Sequence, residues 1–262
     1  MSVASVNGTK IAYDDTGGSG PAIVLAHGFL MDRSMFDPQV AALRDAYRVI
    51  TWDERGFGQT TFDEQPFTYW DLAGDCIAIL DHLGIETAVV GGMSQGGFIS
   101  LRVALTAPER VRALILLDTQ AGTEDPEVVP LYQGMADDWV ANGPSDEIAQ
   151  AAASLIIGDP ELNEPWIARW KSRPKEWLAA PMHTLVTRDD VTARLGEITV
   201  PALVVHGTAD VSISMDKAET LANGLAGCDG VVAVEGGTHA ANLTHPTEVN
   251  QAIVTFLDAL PS

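Results

Sequence analysis

Unbroken apolar runs recur along the chain with amphipathic stretches between them: AIVLAHG (22–28), YRVITWD (47–53), TAVVGGMS (87–94), VRALILLD (111–118), PALVVHGTAD (201–210) and GVVAVEG (230–236). A run without polar alternation is a strand buried on both faces, and such strands belong to a parallel sheet covered by helices on each side. The intervening stretches supply the helices. From Thr68 a capping box with Asp71 opens a helix that carries Leu72, Cys76, Ile79, Leu80 and Leu83 on one face, with Gly84 placed to stop it. A second helix follows Ser94, with Phe98, Leu101 and Leu105 on one face and Pro108 ending it; a last one starts near Pro246 and turns Val249, Ile253, Phe256 and Leu257 inward. Ahead of all this, VASV and KIAYDD flank Asn7-Gly8, a pair that tolerates the positive φ of a tight hairpin turn.

The alternation breaks between Thr119 and about Gly196. That stretch is helix-rich and holds Trp139, Trp166, Trp170 and Trp177, four of the six tryptophans. The expected organisation is a core built from residues 1–119 and 197–262, with 120–196 inserted as a helical cap. The tryptophans should pack the cap's own small core, with at least one facing a pocket beneath it; Met135 and Met182 are further candidates for its wall.

At 262 residues the chain suits a single large core. Its 36 acidic against 15 basic residues give a formal net charge of −21, which repels phosphate backbones and anionic lipids and excludes nucleic acid and membrane surfaces as expected partners. Cys76 and Cys228 lie far apart and in no ligand spacing, so neither a disulfide framework nor a zinc site is expected. With no signal-like start and no apolar run approaching ~18 residues, a cytoplasmic location is the expectation.

The chemistry concentrates at Gly92-Met93-Ser94-Gln95-Gly96-Gly97, a G-x-S-x-G motif between a buried run and a helical pattern. A serine on a sharp strand-to-helix turn requires small residues two places before and after it, which Gly92 and Gly96 are. The turn lifts the hydroxyl above the sheet, where a base can reach it and a helix N-terminus favours developing negative charge. The candidate base is His239, in the GGTH that separates the last run from the last helix. His27 and His206 sit in strand-end His-Gly pairs, His82 in a helix and His183 in the cap. His245, the rival, precedes Pro246, where capping or exposure would explain it. The orienting carboxylate should close a strand upstream of the histidine; Asp210 does so, with Asp118 competing as a loop or pocket residue otherwise. Oxyanion donors map to the backbone N–H groups of Gln95 and Phe29, the latter exposed by the turn that Gly28 permits.

Together, HGF (27–29), DERGFG (53–58), GMSQGG (92–97), GTAD (207–210) and GGTH (236–239) resemble the α/β-hydrolase superfamily over nearly the whole chain. The resemblance implies an α/β fold with a mostly parallel eight-stranded sheet, flanking helices and an inserted cap. It also implies a triad of Ser94, Asp210 and His239, oxyanion donors at Phe29 and Gln95, and no cofactor or metal. Asp53 and Arg55 fall in a family landmark loop and are expected to be structural. The chain looks most like the small bacterial branch of carboxylesterases, enol-lactone hydrolases, cofactor-free haloperoxidase-like enzymes and carbon–carbon bond hydrolases. Gln95 departs from the Met that many enol-lactone and haloperoxidase relatives place after the nucleophile. A serine nucleophile speaks against epoxide hydrolase and haloalkane dehalogenase chemistry, which uses aspartate there. The expected activity is hydrolysis of a small or medium carboxylic ester or lactone. Cleavage of a carbon–carbon bond in a diketone-like substrate is the alternative, and a binding protein on the same scaffold stands behind both. Oligomeric state is open.

Overall fold

A computed structural model describes residues 1–61 and 65–261. Its strands are β1 (Ser2–Val6), β2 (Thr9–Asp15), β3 (Ala22–Ala26), β4 (Arg48–Trp52), β5 (Ala88–Met93), β6 (Val111–Leu117), β7 (Ala202–Gly207) and β8 (Cys228–Val234). They form one sheet in the order β1-β2-β4-β3-β5-β6-β7-β8. The β1–β2 and β2–β4 pairings are antiparallel and the others parallel. The opening hairpin turns at Asn7 and Gly8, both at positive φ (47° and 76°), as the Asn-Gly pair requires.

Every residue of β3, β5 and β7 is buried, as their unbroken apolar runs demand. The last run is different. β8 begins two residues earlier than expected, stops at Val234 and is largely exposed, because it pairs only with β7 at the sheet's edge. Apolar composition alone could not separate a central strand from an edge.

The helices are α1 (Asp37–Leu43), α2 (Tyr69–His82), α3 (Gln95–Thr106), α4 (Val129–Asn142), α5 (Asp146–Ile156), α6 (Pro160–Lys171), α7 (Ala179–Val186), α8 (Met215–Gly224), α9 (Ala241–Thr244) and α10 (Pro246–Asp258). The capping box forms at the head of α2: the Thr68 side chain accepts from the Asp71 N–H and the Asp71 carboxylate accepts from the Thr68 N–H. Gly84 follows the helix at φ 64°. α2 packs on α3, and α1 on α10. Between β6 and β7 the described chain forms no strand, only α4 to α7 and short 3-10 turns. There Trp139 meets Trp170 and Trp177, with ring centroids 6.3 and 6.4 Å apart. The Trp170 indole N–H reaches down to donate to the Leu30 carbonyl at 2.6 Å. Among the described residues no helix is long and apolar enough to cross a membrane.

Candidate active site

Because β3 and β5 to β8 run parallel, their C-terminal ends share one edge of the sheet, and the loops leaving that edge carry the motif residues. Ser94 leaves β5 at φ 52° and ψ −112°, a conformation side chains rarely take, and heads α3. Its N–H donates to the Leu117 carbonyl at 2.9 Å, and its own carbonyl accepts from the Thr119 hydroxyl at 2.7 Å, so the end of β6 holds the turn from both sides of Asp118. The glycines are demanded by space. A Cβ on Gly92 would lie 2.4 Å from the Ala26 carbonyl oxygen, and one on Gly96 only 1.9 Å from it.

The Ser94 Oγ lies 3.0 Å from His239 Nε2, and His239 Nδ1 lies 2.8 Å from Asp210 Oδ2. Asp210 is positioned by its own turn, its Oδ1 accepting the N–H groups of Ser212 and Ile213 at 2.7 and 3.0 Å. Burial alone would push the Asp210 carboxyl up, but the His239 ring and these donors hold it below the ordinary aspartate value, so it keeps its charge.

Asp118 lies in the connection after β6, one of its two expected places, and does not line the cavity. It follows β6 fully buried, at φ 45°, and its Oδ1 accepts the Gly207 N–H at 2.8 Å. Burial, with the nearby Asp210 charge adding to it, pushes its carboxyl well up against the hydrogen bonds it accepts, which favours the neutral acid beside a charged Asp210. Ligand atoms of Asp118, His206 and Asp210 lie within 4.8 Å of one another, the arrangement that could hold a metal ion. Both Asp210 oxygens already accept hydrogen bonds from His239 and the turn, which leaves that group poorly suited to the role. His245 precedes α10 without capping it, its Nδ1 lying 2.9 Å from the Thr244 hydroxyl instead.

Gln95 follows Ser94 directly, and Phe29 lies in the turn after β3. Gln95 is the first residue of α3, where N–H groups lack intrahelical partners, and Phe29 lines the same cavity as Ser94 and His239. The reason for Gly28 differs from the expected one. The left-handed residue of that turn is Leu30, at φ 66°; at Gly28 a Cβ would sit 2.4 Å from the Met93 sulfur, so any larger residue there would have to displace the Met93 side chain.

The cavity above Ser94 is walled mainly by apolar side chains, among them Leu30, Met93, Met135, Ile156 and Met182. None of the four tryptophans between β6 and β7 lines it, contrary to expectation. They turn toward one another and toward residues such as Leu30 and Arg169, where large rings fill gaps between helices.

The family model for the alpha/beta hydrolase fold matches residues 21–246. The chain belongs to the alpha/beta hydrolase family. The 3-oxoadipate enol-lactonase 1 of Acinetobacter baylyi is 28% identical to this hydrolase, over 92% of this chain and 90% of its own. Among solved structures, a thermophilic esterase from Thermogutta terrifontis superposes with a TM-score of 0.89 at 29% identity, covering 99% of this chain and 97% of that one. The enol-lactonase from Burkholderia xenovorans LB400 gives 0.88 at 29% identity, covering 98% and 100%.

Behind the serine turn, the hydrolase holds a buried polar cluster that the motifs alone did not reveal. The Gln95 side-chain amide donates to Glu54 Oε2, and its oxygen accepts from the Tyr69 hydroxyl at 3.1 Å. Burial, with Asp53 adding to it, pushes the Glu54 carboxyl well above the ordinary range, which favours the neutral acid. His27 completes the cluster: its Nε2 accepts the Glu54 N–H at 3.1 Å, its Nδ1–H donates to the Gly28 carbonyl at 2.8 Å, and burial keeps the ring neutral. Two signals were present in the sequence, a glutamate inside DERGFG and a glutamine after the serine, but nothing in the order of the chain pairs positions 54 and 95. The neighbouring Asp53 is structural in its contacts, accepting the N–H groups of Arg33 and Gln59 at 2.9 and 2.7 Å. Arg55 likewise clamps Asp75, at 2.6 and 2.8 Å.

Proposed function

We propose that this protein is a serine hydrolase that cleaves a small or medium carboxylic ester or lactone through an acyl-enzyme. The observation that carries this reading is the continuous relay from Ser94 Oγ through His239 to Asp210, at 3.0 and 2.8 Å. Ser94 Oγ attacks the substrate carbonyl as His239 Nε2 takes its proton. The charge that develops on the carbonyl oxygen faces the N–H groups of Phe29 and Gln95 at the head of α3. His239 then returns the proton to the departing alcohol oxygen, Asp210 steadying the imidazolium through Nδ1–H. Water, deprotonated by His239, releases the acid. No step calls on a metal or organic cofactor.

Residues 120–196 act in this reading as a cap over a core of 1–119 and 197–262, closing the pocket with α4, α5 and α7, which contribute Met135, Ile156 and Met182 to the cavity wall. The esterase and enol-lactonase names among the relatives support carboxylic ester and lactone substrates. Two unpaired cysteines fit a reducing cytoplasm. The test is hydrolysis of nitrophenyl esters of graded acyl length and a set of lactones by wild type and Ser94→Ala. Turnover by wild type, lost by roughly 10⁵-fold or more in the variant at unchanged melting temperature, is expected. Equal rates would defeat the reading.

A further inference from the structure

One wall of the cavity breaks its apolar character. Glu124, from the segment between β6 and α4, lines it together with Ser94 and His239 and is the one acidic residue to do so among the described residues. A carboxylate in such a wall is costly unless paired, and Arg188 pairs it. The Arg188 Nη1 donates to Glu124 Oε1 at 2.6 Å, and the guanidinium, itself 1% exposed, is fixed from behind. Its Nε donates to the Gly122 carbonyl at 2.9 Å and its Nη1 to the Leu185 carbonyl at 3.0 Å, and the plane lies 4.1 Å from the Phe98 ring centre. Only Oε1 of Glu124 is used in this way. Its Oε2 receives no hydrogen bond among the described residues. The Ser212 hydroxyl, in the same wall, is already spent on the Leu155 carbonyl at 3.2 Å.

We propose that Glu124 selects substrates whose otherwise apolar portion carries one neutral hydrogen-bond donor, a hydroxyl or an amide N–H, which donates to Oε2. The assignment rests on the serine-hydrolase reading and narrows it to a substrate class. An apolar isostere entering the cavity displaces water from Oε2 and leaves an anionic acceptor without a donor. A carboxylate brings lone pairs and like charge against it. An ammonium group surrenders its hydration to a pair that Arg188 has already neutralised. A neutral donor alone meets the open oxygen at no such loss.

The experiment compares three nitrophenyl esters of matched length: heptanoate, 6-hydroxyhexanoate and the half-ester of adipate. Wild type should prefer the hydroxy ester over heptanoate by roughly ten- to hundredfold in kcat/KM, and rank the adipate half-ester last. Glu124→Gln keeps an oxygen for Arg188 but turns an N–H₂ toward the substrate. Its hydroxy-to-heptanoate ratio should fall toward one and its adipate-to-heptanoate ratio should rise about tenfold. A general loss of packing would lower all three rates together and leave the ratios unchanged, which would overturn the assignment. So would hydrolysis of heptanoate and the hydroxy ester at equal rates by wild type, with the serine-hydrolase reading intact. Failure of wild type to hydrolyse any of the three would remove both.

Discussion

Ser94 and Glu124 face one cavity, yet they are held there by different means. Ser94 is fixed by backbone: a left-handed turn between β5 and α3, glycines that leave no room for a Cβ, and hydrogen bonds to the end of β6. Glu124 is fixed by side chains, through a buried arginine that ties its loop to α7. The turn tolerates almost no change of residue, whereas the wall contributed by α4, α5 and α7 can change shape one side chain at a time. On the proposed reading the chemistry is built into the sheet and the selectivity into the wall above it, which gives the two regions opposite responses to substitution.

The largest contrast is between the two carboxylates at the sheet edge. Asp210→Asn should lower kcat by roughly 10⁴-fold, because the amide favours the wrong His239 tautomer. Asp118→Asn, replacing a neutral acid by its neutral isostere, should cost less than about tenfold; an equal loss at both positions in ester kinetics would refute the assignment of charge. Next comes Gly96→Ala, expected to destabilise by about 3 kcal/mol in denaturant unfolding, since a Cβ must displace the Ala26 carbonyl. In the helical wall, Met135→Ala should raise kcat/KM for octanoyl over butyryl esters by roughly tenfold. An unchanged chain-length profile would take Met135 out of the acyl-binding wall.

A smaller effect tests the buried cluster behind the serine. Glu54 has its folded-state value raised, so the folded protein binds a proton that the unfolded chain has already released above its ordinary value of 4.5. Stability therefore falls as pH rises from there toward the folded-state value, by at most about 1.4 kcal/mol per pH unit for this one group. Glu54→Gln should show a flatter decline of melting temperature toward alkaline pH, and parallel curves would mean that the carboxyl is charged when folded. The smallest expected change is a gain. Gly134, in the middle of α4, has open space where a Cβ would go, so Gly134→Ala should stabilise by about 0.5–1 kcal/mol.

The same division explains what could be read in the sequence. The strands, the capping box of α2 and the Gly-x-Ser-x-Gly turn follow from local sterics and apolar pattern, and residues close in sequence express them. Ser94, Asp210 and His239 could be nominated because each closes a strand or follows one at the same end of a parallel sheet. The wall of the cavity depends on how helices lean on one another, so the sequence shows that the tryptophans pack together but not that none faces the pocket, and nothing in it pairs Glu124 with Arg188, 64 residues away. β8 reads as a buried strand because its composition matches the central ones, while its place at the edge is set by topology.

The acyl-enzyme itself is the most direct test. Wild-type protein quenched in acid during turnover of nitrophenyl hexanoate should gain the mass of one hexanoyl group, located by peptide mass spectrometry on Ser94 and missing from Ser94→Ala. Turnover with no covalent mass, or with the acyl group on another residue, would contradict the account.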